Sequence, residues 1–166
     1  MKGIGGHHRP YEGRSDDWIT PPAILEALGP FDLDPCACDP QPWRTAATMW
    51  TAAADGLAHQ WFGRVWLNPP YGPRAAAWLD RLAKHGNGVA LVFARTETAA
   101  FFAHVWPTAA ALLFVRGRLH FHKPDGARAK QNSGGPSVLI AYGENNAAAL
   151  AACGIPGALC RGGRVI

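Results

Sequence analysis

A chain of 166 residues, 48% hydrophobic and 17% charged, has the length and composition of one folded domain and not of a disordered protein. No apolar run approaches the ~20 residues that span a bilayer, so no membrane partner is expected; Met1 to Arg14 has no apolar h-region, so no signal peptide is expected either. A net charge of +4 and a pI of about 9.1 permit a polyanionic partner without requiring one.

Residues 1–15, polar and rich in Gly, His and Arg, read as a frayed tail, and residues 16–166 as a single domain. Thr20-Pro21-Pro22 before Ala23 to Leu28 predicts a helix start, with Thr20 as a possible N-cap and Gly29-Pro30 as the stop. Phe31 to Asp34 is a short strand candidate that ends on a carboxylate, and Trp43 to Ala54 is helical or irregular. Val65-Trp66-Leu67 is a strand broken off by two prolines. Arg74 to Lys84 has helical spacing, with Trp78 on its apolar face. Val89 to Phe93 and Ala111 to Val115 are continuous apolar runs, expected of strands buried on both faces, with a helix from Thr98 to Val105 between them. Ser137 to Tyr142 is the last clear strand; Gly143 to Ile166 is left open between a packed helix and a loose tail.

Strand alternating with helix implies an α/β domain with a mostly parallel sheet. Ligands of such sheets sit at the carboxyl ends of strands, where both Asp34-Pro35 and Asn68-Pro69-Pro70-Tyr71 fall. Cys36, Cys38, Cys153 and Cys160 read as thiols in a cytoplasmic protein. Cys36-Ala37-Cys38 is too tight for a zinc knuckle, and no metal site is expected.

Asn68 to Tyr71 carries the chemistry. An exocyclic amine conjugated to a nucleobase ring is a poor nucleophile, because its lone pair is delocalised. Two acceptors that take its two hydrogens localise the pair toward an electrophile. The Asn68 side-chain oxygen and the Pro69 carbonyl offer such acceptors, Pro69 and Pro70 hold the backbone in a narrow range, and Tyr71 offers a ring face for a flipped base.

Asn68-Pro69-Pro70-Tyr71 resembles the catalytic tetrapeptide of amino-group methyltransferases. In order along the chain, Asp17-Trp18-Ile19-Thr20-Pro21-Pro22, Phe31 to Ala37, Asp55-Gly56-Leu57, Trp61, Phe93 to Thr98, Gly117 to Phe121 and Pro136-Ser137 resemble the phage-type DNA N6-adenine methyltransferase (Dam) family. The resemblance spans about Asp16 to Tyr142 and implies a Rossmann-like class I methyltransferase fold with helices on both faces of the sheet. It implies S-adenosylmethionine as methyl donor, double-stranded DNA as partner, and a phage or prophage origin with evasion of host restriction as purpose. By that resemblance Trp18, Thr20 and Pro21 belong to the segment that holds the methionine end of the donor. Asp34, Pro35, Cys36 and Ala37 form the cofactor-binding strand end, Asp55 with Leu57 meets the adenine or ribose, and Asn68 adjoins the cofactor while it handles the base.

Two features depart from the family. No glycine-rich loop follows Asp34, the next glycine being Gly56. The stretch from Asp34 to Asn68 is also too short for two further βα units, each crossover taking ~10–12 residues, so the first half of the sheet is expected to be trimmed.

Arg116, Arg118, His120, His122, Lys123, Arg128 and Lys130 crowd one segment, opposed by Asp125. Between two late strands, residues 117–135 are expected to form a basic loop facing DNA, Arg and Lys on phosphates and an Arg able to read guanine. The same fold could instead methylate RNA, the N4 amine of cytosine or a protein glutamine, though cytosine enzymes more often carry Ser where Asn68 stands. A catalytically inactive DNA-binding relative is the further alternative.

Overall fold

The structure, a computed structural model, describes residues 18–162. The tail read over residues 1–15, the start of the domain at Asp16 and residue Asp17 lie outside the described residues.

Among the described residues seven strands form one open sheet: β1 (Leu33–Asp34), β2 (Thr48–Met49), β3 (Val65–Leu67), β4 (Gly88–Phe93), β5 (Ala111–Val115), β6 (Ser137–Tyr142) and β7 (Gly157–Arg161). Their order across the sheet is β2-β1-β3-β4-β6-β5-β7. The ladders joining β2, β1, β3 and β4 are parallel, while β4–β6, β6–β5 and β5–β7 are antiparallel. Five strands thus point one way, but the far half of the sheet is antiparallel, which corrects the mostly parallel expectation. Ser137 to Tyr142 was legible as a buried strand because an apolar run reports burial on both faces; it carries no information about direction. In the structure β6 inserts between β4 and β5, with Leu91 opposite Leu139 and Leu113 opposite the same residue on the other side.

Four α-helices, α1 (Pro22–Leu28), α2 (Ala75–His85), α3 (Ala99–His104) and α4 (Glu144–Ala152), cover the sheet on both faces. Ile24, Leu25 and Leu28 of α1 and Ala147 and Leu150 of α4 pack with Trp66, Leu91 and Leu139. Leu79 and Leu82 of α2 and Phe101 of α3 pack with Leu67, Leu112 and Ile140. Alternate residues of one strand therefore serve opposite layers, as the two-residue period of a strand requires. The α2 helix ends at Gly86, whose φ of 74° turns the chain left-handed at no steric cost. Thr98 caps α3, its hydroxyl oxygen accepting from the Phe101 N–H at 3.3 Å.

Three local expectations change. Thr20 does not cap α1: Pro21 occupies that position with no side-chain cap, Pro22 starts the helix, and Thr20 is buried instead. The Trp43 to Ala54 stretch is irregular, holding only β2 and a single 3-10 turn at Ala52–Ala54. The open C-terminal segment resolves into α4, which docks on the core, and β7 on the sheet edge.

Arg64, just before β3, ties these parts together. Its guanidinium donates to the carbonyls of Leu28 and Pro30 at 2.6 and 2.9 Å and to Asn146 Oδ1 at 2.6 Å, and it lies 4.3 Å from the centre of the Phe31 ring. The end of α1, the entry to β1 and the start of α4 thus share one cation. Arg64→Ala leaves those acceptors without a donor and should destabilise the fold by on the order of 3 kcal/mol, measured by urea unfolding.

Candidate active site

Leu67, fully buried, carries the chain out of the sheet into Asn68 to Tyr71 at the carboxyl end of β3. The Asn68 amide is oriented by the backbone: its Nδ2 donates to the Trp18 carbonyl at 2.7 Å. Its Oδ1 is buried and has no donor among the described residues, so an acceptor of the kind the sequence reading asks for stands unengaged. The Asn68 backbone carbonyl accepts from the Cys36 thiol at 3.4 Å, which joins the tetrapeptide to the neighbouring β1 loop.

Tyr71 is braced from behind. Its ring stacks on Phe93 with centroids 4.4 Å apart and planes 16° from parallel. Phe93 in turn packs on Gly135, where an added Cβ would meet the ring at 3.3 Å. Phe121 meets Tyr71 nearly perpendicularly at 6.3 Å. One face of Tyr71 is therefore covered by Phe93. Burial also pushes the Tyr71 phenol above its ordinary range, so it stays protonated.

Of the cavities that touch this tetrapeptide, two share Trp18 and Tyr71 in their walls. The larger, about 430 Å³, is walled by Pro35, Cys36 and Ala37 after β1, by Asp55 and Leu57, and by Trp18 and Asn68 to Tyr71. The smaller, about 90 Å³, lies between Trp18, Tyr71, Phe93 and Phe121 and is closed by residues 131–134. Trp18 and Tyr71 belong to both walls.

The Asp55 turn is shaped for close approach. Asp55 is exposed with φ of 49°, a left-handed conformation that few side chains adopt, and Gly56 follows it. An added Cβ at Gly56 would stand 1.9 Å from the Pro35 carbonyl oxygen, so only glycine permits this contact. Trp61 Nε1 fixes the turn by donating to the Gly56 carbonyl at 2.8 Å. In place of a glycine-rich loop after β1, a glycine from a later segment lets the two backbones touch.

Asp34, Thr20 and Pro21 sit beneath the larger cavity and not in its wall. Asp34, 3% exposed, accepts from the Thr45 hydroxyl at 2.5 Å and from the Cys36 N–H at 3.0 Å. It lines a small cavity together with Thr20, whose hydroxyl has no partner among the described residues. Pro21 caps α1. Asp34, by accepting from the Cys36 N–H, holds the loop that carries Pro35 to Ala37. Arg74, Trp78, Cys38 and Asp39 join the larger wall without having been singled out as site residues. Trp78 reads as part of an apolar helix face, and no local pattern separates a cavity-lining ring from a core one.

The basic segment is an ordered excursion, not an open loop. His122 pairs antiparallel with Ile19 and with Arg128, Phe121 and Ala129 are buried, and the chain turns at Asp125-Gly126. Arg116, Arg118, Lys123, Arg128 and Lys130 are exposed along it, with Arg118 donating to the Ser133 carbonyl at 3.3 Å. The two histidines are partly withdrawn: His120 Nδ1 lies 3.3 Å from the Ala129 carbonyl, and His122 is edge-on to Trp43 at 5.0 Å. Desolvation first and Arg128 second lower the His122 pKa, which keeps its ring neutral at pH 7. Among the described residues no cluster of three His, Cys, Asp or Glu could hold a metal, and no helix is long and apolar enough to cross a membrane.

Burial raises the Asp34 carboxyl from its ordinary 3.8 to about 6, against the lowering effects of Thr45 and the Cys36 N–H. Between those values the folded protein holds a proton that the unfolded chain has released. The associated stability is therefore complete below pH 3.8 and lost as pH rises through about 6. Urea unfolding from pH 4 to 7 should show wild type losing stability relative to Asp34→Asn across this window; parallel curves would refute the shift.

A family model described as DNA N-6-adenine-methyltransferase (Dam) matches residues 8–151. No curated protein and no solved structure matches the chain. With most of its length matched, the chain belongs to the DNA N-6-adenine-methyltransferase family.

Proposed function

We propose that the protein transfers a methyl group from S-adenosylmethionine to N6 of an adenine flipped out of double-stranded DNA, on a Rossmann-like methyltransferase sheet reduced in its first half. One observation carries this reading: the buried Asn68 Oδ1, oriented by the Trp18 carbonyl and left without a donor among the described residues, beside the larger cavity, whose Trp18 and Tyr71 also wall the smaller one. The parallel half of the sheet supports it, since its strand ends open onto the larger cavity.

The donor set fits a nucleoside-bearing cofactor. The larger cavity combines apolar surfaces from Pro35, Leu57 and Trp78 with the exposed carboxylate of Asp55, a natural acceptor for ribose hydroxyls or an adenine amine. Held there, S-adenosylmethionine would supply an electrophilic methyl group on a positively charged sulfur, to be exchanged for one proton of the amine. Asn68 Oδ1 and the Pro69 carbonyl accept from the two amine hydrogens, which turns the nitrogen lone pair toward the larger cavity. Tyr71, braced by Phe93, receives the base on its free face, and Phe121 and Trp18 exclude water around it. Arg116, Arg118, Lys123, Arg128 and Lys130 bind the phosphates that flank the extruded nucleotide, with His120 beside them and His122 as a neutral member of the same surface.

Incubation with unmethylated DNA and methyl-labelled S-adenosylmethionine should yield N6-methyladenine as the labelled nucleoside, identified by mass spectrometry. N4-methylcytosine, or label on RNA or protein glutamine alone, would overturn the substrate; absence of transfer by folded protein would overturn the activity. Asn68→Ala should lower transfer by at least about 100-fold while cofactor affinity, measured by calorimetry, stays within a few-fold. Unchanged transfer by this variant would sink the acceptor mechanism.

A further inference from the structure

The smaller cavity has two kinds of wall. Its aromatic wall, from Trp18, Tyr71, Phe93 and Phe121, suits any flat base and selects none. Its polar wall is Gln131-Asn132-Ser133. Ser133 is buried and anchored: its N–H donates to the Leu119 carbonyl at 2.7 Å, and its hydroxyl to the Gly135 carbonyl at 2.8 Å. The two amides just before it are exposed, and among the described residues neither side chain has a hydrogen-bond partner. A fixed base thus carries two uncommitted amides at the edge of an aromatic slot.

Amides of this kind match what adenine has left to offer. With the two N6 hydrogens taken by Asn68 and Pro69, the remaining polar atoms of the ring are N1, N3 and N7, all acceptors. A primary amide brings two N–H donors in one plane. Guanine would instead present an N1–H and a 2-amino group, donors facing donors. The geometry points to Gln131 and Asn132 as specificity-determining residues that identify the flipped base as adenine by donating to its ring nitrogens, an inference that rests on the reading of the preceding subsection. The sequence-selective part of the site then lies on the rim, in a segment of the chain remote from Asn68.

The test is a chemical double-mutant cycle on duplexes that carry the methylated site found in the transfer assay. The target adenine is replaced by its 1-deaza, 3-deaza or 7-deaza analogue, each of which keeps the exocyclic amine and loses one ring acceptor. Single-turnover rates are measured for wild type, Gln131→Leu and Asn132→Leu. Wild type should lose roughly ten- to hundredfold on at least one analogue. A Leu variant should show a similar loss on adenine itself, and little further loss on the analogue whose missing nitrogen was its partner. Gln131→Glu and Asn132→Asp, nearly isosteric but with acceptors where donors stood, should be at least as impaired while keeping the wild-type melting temperature and cofactor affinity. Leu variants as fast as wild type on adenine, or losses that multiply independently on every analogue, would overturn the inference while leaving the adenine reading in place. Absence of transfer by wild type to adenine DNA overturns that reading and the inference together, and is seen without any variant.

Discussion

The hydrogen bond from Asn68 Nδ2 to the Trp18 carbonyl is the constraint on which the site depends. An asparagine amide can rotate to present either end, and only the oxygen is useful against an amine. By engaging the nitrogen, the Trp18 carbonyl settles which end faces the cavities. The segment that supplies this carbonyl is itself held in place: Ile19 exchanges backbone hydrogen bonds with His122, and Trp43 Nε1 donates to the Thr20 carbonyl at 3.1 Å. One short strap therefore links the acceptor on β3, the basic excursion after β5 and the irregular stretch beside β2.

The sheet divides labour between its halves. The parallel half ends in the tetrapeptide and the Pro35 to Ala37 turn, which wall the larger cavity. The antiparallel half contributes Phe93, at the end of β4, and Gly135, just before β6, which stack behind Tyr71, and it bears the basic excursion on the β5–β6 connection. Between β1 and β3 the Asp55 turn folds back against Pro35 and forms part of the wall of the larger cavity.

Much of this was legible in the sequence, for identifiable reasons. β3, β5 and β6 coincide with their apolar runs, since strands buried on both faces leave continuous hydrophobic sequence. β2 and β7 left no such trace: one is two half-buried residues, and the other is exposed along its whole length. The direction of β6 was illegible because direction follows from connections and not from side chains. Asn68 to Tyr71 stood out because two prolines after a strand are chemically conspicuous. Gln131, Asn132, Arg74 and Trp78 could not stand out, since nothing local distinguishes a polar loop residue or a helix ring that lines a cavity from one that does not.

The position of β6 carries a consequence for how the molecule assembles. It is threaded between two strands that precede it in the chain, so neither β4 nor β5 has its full set of ladder partners until β6 arrives. The basic excursion is the tether that delivers it. Such non-local pairings form late, after the entropy of closing the intervening chain has been overcome. The central sheet and the basic surface are therefore coupled, and a molecule that opens at β6 loses the order of that surface together with the middle of its core.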